Sequence, residues 1–147
     1  MSTERLGDDQ SHSGCPFCEI IAGRAPAEIV RHYSECVVFV PLNPVTEGHV
    51  LVVSRKHITN IKVDRWALAD VMRTAAIYAH PPCNFILSVG AEATQTIRHL
   101  HMHVVPRRFD DGLELPWGDN AHLGREHREN AYAFYNGSGI DSQKDAE

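Results

Sequence analysis

A strict alternation of histidine and apolar residues is the feature that most constrains this chain. The segment from residue 99 to residue 104 reads His99, Leu100, His101, Met102, His103, Val104. A period of two predicts a β-strand, here over 97–105, because successive side chains on a strand point to opposite faces. One face then carries three imidazoles spaced roughly 6.5–7 Å apart, and the other enters a core. Imidazole is a nucleophile, a proton carrier and a metal ligand near neutral pH. The spacing alone therefore does not distinguish a nucleophilic site from a metal site. The non-functional alternative is that the three histidines simply form a solvent-exposed face.

Size and charge narrow the class of protein. A chain of 147 residues with net charge −5 predicts one main domain and argues against nucleic-acid binding. Residues 15–108 hold ten Lys/Arg against seven Asp/Glu, and a mildly basic body suits a small anionic ligand. No apolar run resembles a secretory signal or a membrane span, so a cytoplasmic protein without a membrane partner is expected. The polar ends 1–14 and 136–147 are predicted to be disordered.

The order of apolar runs between these tails predicts an α+β fold. The expected elements are a short helix over 17–22, strands over 29–33, 36–40, 49–53, 84–89 and 97–105, and helices over 65–79 and 125–135. Short connections between most strands favour a five-stranded antiparallel sheet, with one long helix between strands three and four. Asp64 is the expected N-cap of that helix. Its buried face should comprise Leu68, Val71, Met72, Ala75 and Tyr78.

The pair Cys15 and Cys18 predicts a metal site. Two cysteines separated by two residues bind one metal ion from a tight turn, although a redox pair has the same spacing. A redox pair normally opens a long helix after a strand of a parallel sheet, which is not predicted here. Two thiolates need two further ligands for tetrahedral zinc. His57, which follows the third strand, and one member of the histidine row are the natural candidates.

Together these segments resemble the histidine-triad (HIT) superfamily of nucleotide hydrolases and transferases. The resemblance covers residues 15–108, and the zinc-binding bacterial branch is the most similar part of the superfamily. It rests on four segments in the family's order: CPFCEIIAG from Cys15, PVTEGHVLVV from Pro44 with Lys56-His57, QTIR from Gln95, and HLHMHVV from His99. Residues 109–135 are expected to form a C-terminal extension, in which the segment from Asp110 to Trp117 resembles one found in some bacterial members.

The resemblance implies roles for individual residues. His101 is the expected nucleophile, attacking the α-phosphorus of a dinucleoside polyphosphate or nucleoside phosphoramidate and forming a nucleotidyl-histidine that water hydrolyses to a nucleoside monophosphate. The carbonyl of His99 would fix the tautomer of His101, and His103 would donate to a phosphate oxygen. The remaining expected substrate-binding residues are Gln95, Thr96, Ser88, Asn43 and His49, and the expected ligands of structural Zn²⁺ are Cys15, Cys18, His57 and His99. The resemblance also implies a homodimer.

One departure from the family pattern concerns the nucleoside. Pro41 stands where the family usually has an acidic or amide residue for the ribose hydroxyls, and proline has no side-chain acceptor. A nucleotide-binding or sensing module with little turnover is therefore the alternative function. A catalytic metal centre built on the histidine row is a third hypothesis, disfavoured because no carboxylate lies nearby in the sequence.

Overall fold

The computed structural model of the chain describes residues 12, 14–59, 61–62 and 64–115. The chain divides into two compact units, Met1–Phe109 and Asp110–Glu147. In the second unit only 110–115 are described, and there Asp111 accepts a hydrogen bond from Leu113 N–H at 3.0 Å. The predicted final helix, the C-terminal tail and nearly all of the N-terminal tail lie outside the described residues.

The first unit is a five-stranded antiparallel sheet flanked by helices, which confirms the predicted fold class. Its elements in chain order are α1 (Pro16–Ile21), β1 (Glu28–His32), β2 (Cys36–Val40), β3 (Val50–Ser54), α2 (Arg65–Ile77), β4 (Cys83–Ile86) and β5 (His101–Pro106), with a 3₁₀ turn at Ala91–Ala93. The strand order is β1-β2-β3-β5-β4. Because β5 lies between β3 and β4, segments on both sides of it can reach its side chains. Neither helix within the described ranges has the length and apolar character that crossing a bilayer requires.

Helix α2 covers one face of the sheet. Asp64 caps it as predicted, because its carboxylate accepts the N–H of Ala67 at 2.9 Å. The core between α2 and the sheet comprises Cys36, Val38, Val50, Val52, Ala67, Val71, Ala75, Leu100, Met102 and Val104. The predicted burial of Met72 is wrong, since 44% of that residue is exposed. The buried residues Ala67, Val71 and Ala75 recur every four residues along one side of the helix. Met72 directly follows Val71 in sequence, so its side chain is turned away from that side and toward solvent.

Helix α1 packs on the opposite face. Pro16 begins this short helix, where a missing N–H costs nothing. The second core comprises Phe17, Val37, Phe39, Leu51 and Val53, with Ile20, Ile21 and Ile97 packed against it. Leu51 lies opposite His103 and Val53 lies opposite His101. The two strand histidines therefore share the α1 face, while Met102 and Val104 enter the α2 core as the alternation predicts.

The strand carrying the histidines begins later than predicted. Its hydrogen-bonded ladder starts at His101, so His99 precedes the strand rather than lying on it. The N–H of His99 donates to Ile97 O at 2.9 Å in a local turn, and Leu100 N–H donates to Ile58 O at 2.8 Å. These bonds draw the backbone away from a regular ladder. The fourth strand is also shorter than predicted, because the chain leaves the sheet after Ile86 and Leu87 packs into the α2 core.

Candidate active site

The loop between β2 and β3 brings His49 to the face of β5 that carries His101 and His103. Thr46 Oγ1 donates to the carbonyl of Pro106 at 3.0 Å, which ties the loop to the end of β5. Gly48 has a φ of +85°, and a Cβ there would lie 3.2 Å from the ring of Pro106. Only glycine adopts this positive φ without strain and also leaves room for the ring of Pro106. The close approach of loop and strand sets His49 beside His103.

A chain of hydrogen bonds fixes the protons on His49 and His103. Val45 N–H can only donate, and its partner is Nδ1 of His49 at 3.1 Å. Since His49 Nδ1 accepts, neutral His49 carries its proton on Nε2, which lies 2.9 Å from Nδ1 of His103. His103 accepts in turn and so carries its own proton on Nε2. Burial lowers the pKa of His49, and it lowers the pKa of His103 to about 4 with help from the neighbouring His101 and His49. Both rings are therefore neutral near pH 7.

His101 has the opposite tautomer. Its Nδ1 lies 2.7 Å from the carbonyl oxygen of His99, so Nδ1–H donates and Nε2 keeps a lone pair. Phe17 of α1 packs edge-on against the ring, with centroids 5.0 Å apart. Burial lowers the pKa of His101, and the hydrogen bond to His99 opposes this shift. The arrangement supplies a neutral imidazole whose unprotonated nitrogen can act as a nucleophile.

His101 and His103 line an open cavity of about 820 Å³ on the α1 face of the sheet. Of the residues expected to bind substrate, Asn43, His49, Ser88 and Thr96 also line it. Gln95 is not among the lining residues, because its side-chain oxygen accepts Gly90 N–H at 2.9 Å and closes a turn. Lining residues that sequence reasoning did not single out include Phe17, Glu28 and Thr94. No local sequence pattern identifies Glu28 or Thr94 as a cavity residue. Glu28 lies at the cavity because of the pairing of β1, and Thr94 lies there because of an irregular loop.

The four predicted metal ligands come together from three separate segments. The ligand atoms of Cys15, Cys18, His57 and His99 all lie within 4.8 Å of one another. Cys15 Sγ is 3.4 Å and Cys18 Sγ 3.6 Å from His99 Nδ1, and Cys18 Sγ is 3.3 Å from His57 Nδ1. Tetrahedral zinc with ordinary Zn–S and Zn–N bonds sets its ligand atoms roughly 3.3–3.8 Å apart. The donor set and spacing therefore fit Zn²⁺.

Hydrogen bonding prepares His99 to be a ligand. Its Nε2 lies 2.7 Å from the carbonyl of Ser54, so Nε2–H donates and Nδ1 presents a lone pair toward the two sulfurs. Burial lowers the pKa of His99 to about 4 and raises the pKa of the Cys18 thiol. A divalent cation would hold the thiols as thiolates while leaving the imidazoles neutral. His12 stacks on His57 with ring centroids 3.9 Å apart.

Comparison with known proteins places this geometry in a family. The HIT domain family matches residues 22–110. The chain belongs to the HIT domain family. Protein hit of Bacillus subtilis is 30% identical over 121 residues, which are 73% of this chain and 81% of that protein. The chain is also 30% identical over 108 residues to adenylylsulfatase HINT3 of Arabidopsis thaliana, covering 67% of this chain and 55% of the relative.

A solved HIT structure is also similar to this chain. It is the crystal structure of a Zn-bound histidine triad family protein from Mycobacterium smegmatis, with 28% sequence identity and a TM-score of 0.64. The likeness covers 69% of this chain and 81% of the mycobacterial chain.

Proposed function

We propose that this HIT protein hydrolyses nucleotides at the α-phosphate through a nucleotidyl-histidine on His101. The observation that carries the proposal is the hydrogen bond from His101 Nδ1–H to the His99 carbonyl, because it leaves Nε2 unprotonated at the cavity. The similarity to an adenylylsulfatase supports an adenylyl or related nucleotidyl group as the part transferred. The substrate class is a dinucleoside polyphosphate or a nucleoside phosphoramidate.

The reaction has two displacements at phosphorus. His101 Nε2 attacks, its bond to phosphorus forms, and the bond from phosphorus to the leaving oxygen or nitrogen breaks with its electron pair. His101 retains Nδ1–H and becomes a cationic phosphoramidate, whose positive charge is held by the His99 carbonyl. Water then attacks phosphorus, the P–N bond breaks, and neutral His101, a nucleoside monophosphate and one proton are released. The leaving group takes up a proton from solvent or from a group in the cavity.

His103 stabilises the charge that develops on phosphate. Its Nε2–H is fixed by the bond from His49 and is available to a non-bridging oxygen without a change in protonation. The backbone and side chains of Ser88, Thr96 and Asn43 supply further polar groups at the cavity wall. A preorganised donor stabilises the transition state more than a donor that must reorient, because no reorganisation is needed when the charge appears.

The zinc site is proposed as structural. Cys15 and Cys18 lie at the start of α1, while His57 and His99 come from the chain after β3 and before β5. Zn²⁺ there would crosslink these segments and hold α1 against the catalytic strand. Among the described residues, His101 and His103 do not belong to the metal-ligating cluster, which disfavours the hypothesis of a catalytic metal centre on the histidine row. A homodimer and a cytoplasmic location remain part of the proposal.

Replacing the nucleophile tests the reaction. His101→Ala should lower the release of nucleoside monophosphate from a nucleoside 5′-phosphoramidate by at least about a thousandfold. His80→Ala, at an exposed histidine after α2, is the matched control and should keep the wild-type rate. Mass spectrometry of quenched wild-type protein should find the nucleotidyl group on His101. Retained turnover in His101→Ala would refute the mechanism, and binding without any turnover by the wild type would favour the sensing module.

A further inference from the structure

The two histidines of the metal-ligating cluster are oriented by different kinds of contact. His99 donates Nε2–H to the carbonyl of Ser54 at 2.7 Å, and this bond holds its Nδ1 toward the sulfurs. A histidine that binds metal almost always has such a partner for its other ring nitrogen, because the partner fixes the tautomer and the orientation of the ring. Among the described residues, Nε2 of His57 has no hydrogen-bond partner. An aromatic contact takes the place of that hydrogen bond.

The ring of His12 covers one face of the His57 ring. The two imidazoles are nearly parallel, with centroids 3.9 Å apart and an interplanar angle of 17°. The ring of His99 stands at nearly a right angle to that of His57, with centroids 4.9 Å apart. Rotation of His57 out of the cluster would break the stack with His12. The stack therefore favours the orientation in which Nδ1 of His57 lies 3.3 Å from Cys18 Sγ.

The backbone of His12 is tied to the turn that carries the cysteines. Its carbonyl accepts Cys15 N–H at 3.0 Å. Burial raises the pKa of the Cys18 thiol, and a backbone hydrogen bond from His12 opposes this shift. A hydrogen bond that favours the thiolate is one donated to sulfur, so the N–H of His12 is the donor. His12 therefore contacts three of the four ligands, and its two backbone bonds hold its ring beside His57.

We propose, resting on the zinc site proposed above, that His12 is a positioning residue that keeps His57 on the metal and slows the loss of Zn²⁺. His12 is not itself a ligand, since the cluster found among the described residues comprises Cys15, Cys18, His57 and His99. His57 is half-buried, whereas Cys18 and His99 are buried, so solvent reaches the cluster on the His57 side. Exchange of the metal begins when a ligand on an accessible side leaves it. The stacked ring of His12 opposes that first step.

Transfer of Zn²⁺ to a competing chelator tests this role without requiring turnover. The zinc-loaded full chain is mixed with an excess of a coloured pyridylazo chelator, and formation of the chelate is followed by stopped flow. His12→Ala keeps the backbone bonds to Cys15 and Cys18 and loses only the ring. Removal of one aromatic pair should accelerate the release of Zn²⁺ about threefold to tenfold.

Two further variants separate stacking from other effects. His12→Phe can stack on His57 but has no ring nitrogen to bind zinc, so its release rate should stay within about twofold of the wild-type rate. His80→Ala removes an exposed histidine that does not belong to the cluster, and it should keep the wild-type rate. All four proteins should bind one Zn²⁺ per chain. Their Co²⁺-loaded forms should share one visible spectrum, because the ligand set is the same in each.

Several results would overturn the assignment. An unchanged release rate in His12→Ala would refute it. Equal acceleration in His12→Ala and His12→Phe would show that stacking is not the cause, and a Co²⁺ spectrum altered in both would make His12 a ligand; either result overturns the positioning role. A wild type that binds no Zn²⁺ would refute the zinc site and the role of His12 together. Release of zinc is measured without substrate, so none of these results depends on hydrolysis at His101.

Discussion

Replacing His49 by asparagine or by glutamine separates the two hydrogen bonds of its ring. An asparagine amide oxygen takes the position of Nδ1 and can accept from Val45 N–H. A glutamine amide nitrogen takes the position of Nε2 and can donate to His103 Nδ1. In the wild type these bonds measure 3.1 and 2.9 Å. Each variant therefore keeps one end of the chain of hydrogen bonds and loses the other.

The two variants should fail in different ways. His49→Gln leaves the N–H of Val45 unpaired, which costs about 1–3 kcal/mol of unfolding free energy, while His103 still accepts at Nδ1 and presents Nε2–H. His49→Asn leaves His103 Nδ1 without a donor, so the proton can move to that nitrogen. The lost bias of about 1 kcal/mol changes the tautomer ratio roughly fivefold, which lowers the population with the donor toward the cavity, and with it the rate, by about twofold.

The assays are hydrolysis of a nucleoside 5′-phosphoramidate and urea unfolding at pH 7, with ¹⁵N NMR of the histidine rings to read the tautomers. We expect His49→Asn to lose more activity and His49→Gln to lose more stability. Equal loss of rate in both variants would refute the reasoning. So would a His103 ring that keeps its proton on Nε2 in His49→Asn.

Three further predictions concern pH, metal and packing. The pKa of His103 is about 4 in the folded protein and near 6.5 when unfolded, so the unfolded state binds protons more readily between these values. The stabilisation that depends on neutral His103 should be complete above pH 6.5 and should decline as the pH falls toward 4. An NMR titration of His103 with a midpoint near 6.5 would contradict this expectation. Cys18→Ser or chelation should remove one Zn²⁺ per chain, measured by atomic emission, and lower the melting temperature; an unchanged melting temperature would argue against a structural metal. Met102→Ala should cost about 2–5 kcal/mol of unfolding free energy while Met72→Ala costs under about 0.5 kcal/mol, and similar losses would mean that the α2 core is assigned wrongly.

The sequence predicts this fold well where one local pattern decides the outcome. The alternation at β5 predicts that Met102 and Val104 lie on the opposite face from His101 and His103, because successive side chains of a strand point to opposite faces. The Asp64 cap follows from a local hydrogen bond. The metal-binding cluster follows partly from chemistry, since two cysteines in a tight turn need two more donors to close a tetrahedron, with His57 and one histidine of the row as candidates. The choice of His99 from that row follows from the resemblance to the HIT superfamily.

Other features depend on the way distant segments meet. The turn at Ile97 that delays β5 relies on a bond between Leu100 and the loop after β3, which no local pattern encodes. The hydrogen bond from Gly90 N–H to the side-chain oxygen of Gln95 closes a turn that no local pattern predicts, and the role of Gln95 in substrate binding stays a prediction. Glu28 and Val40 lie opposite each other at the cavity wall only because β1 pairs with β2 in a particular register. Registers and loop contacts of this kind need tertiary information.

His99 serves the protein through two independent parts of one residue. Its imidazole lies among the cysteine sulfurs, whereas its carbonyl accepts Nδ1–H of His101, the proposed nucleophile. Any amino acid supplies a carbonyl, but few supply a ligand for zinc. Selection on the side chain is therefore tied to the cysteines, and selection on the backbone is tied to His101. A descendant that lost Cys15 and Cys18 could change the residue at position 99 and still inherit a correctly oriented His101, so the proposed metal site and the proposed reaction could evolve separately.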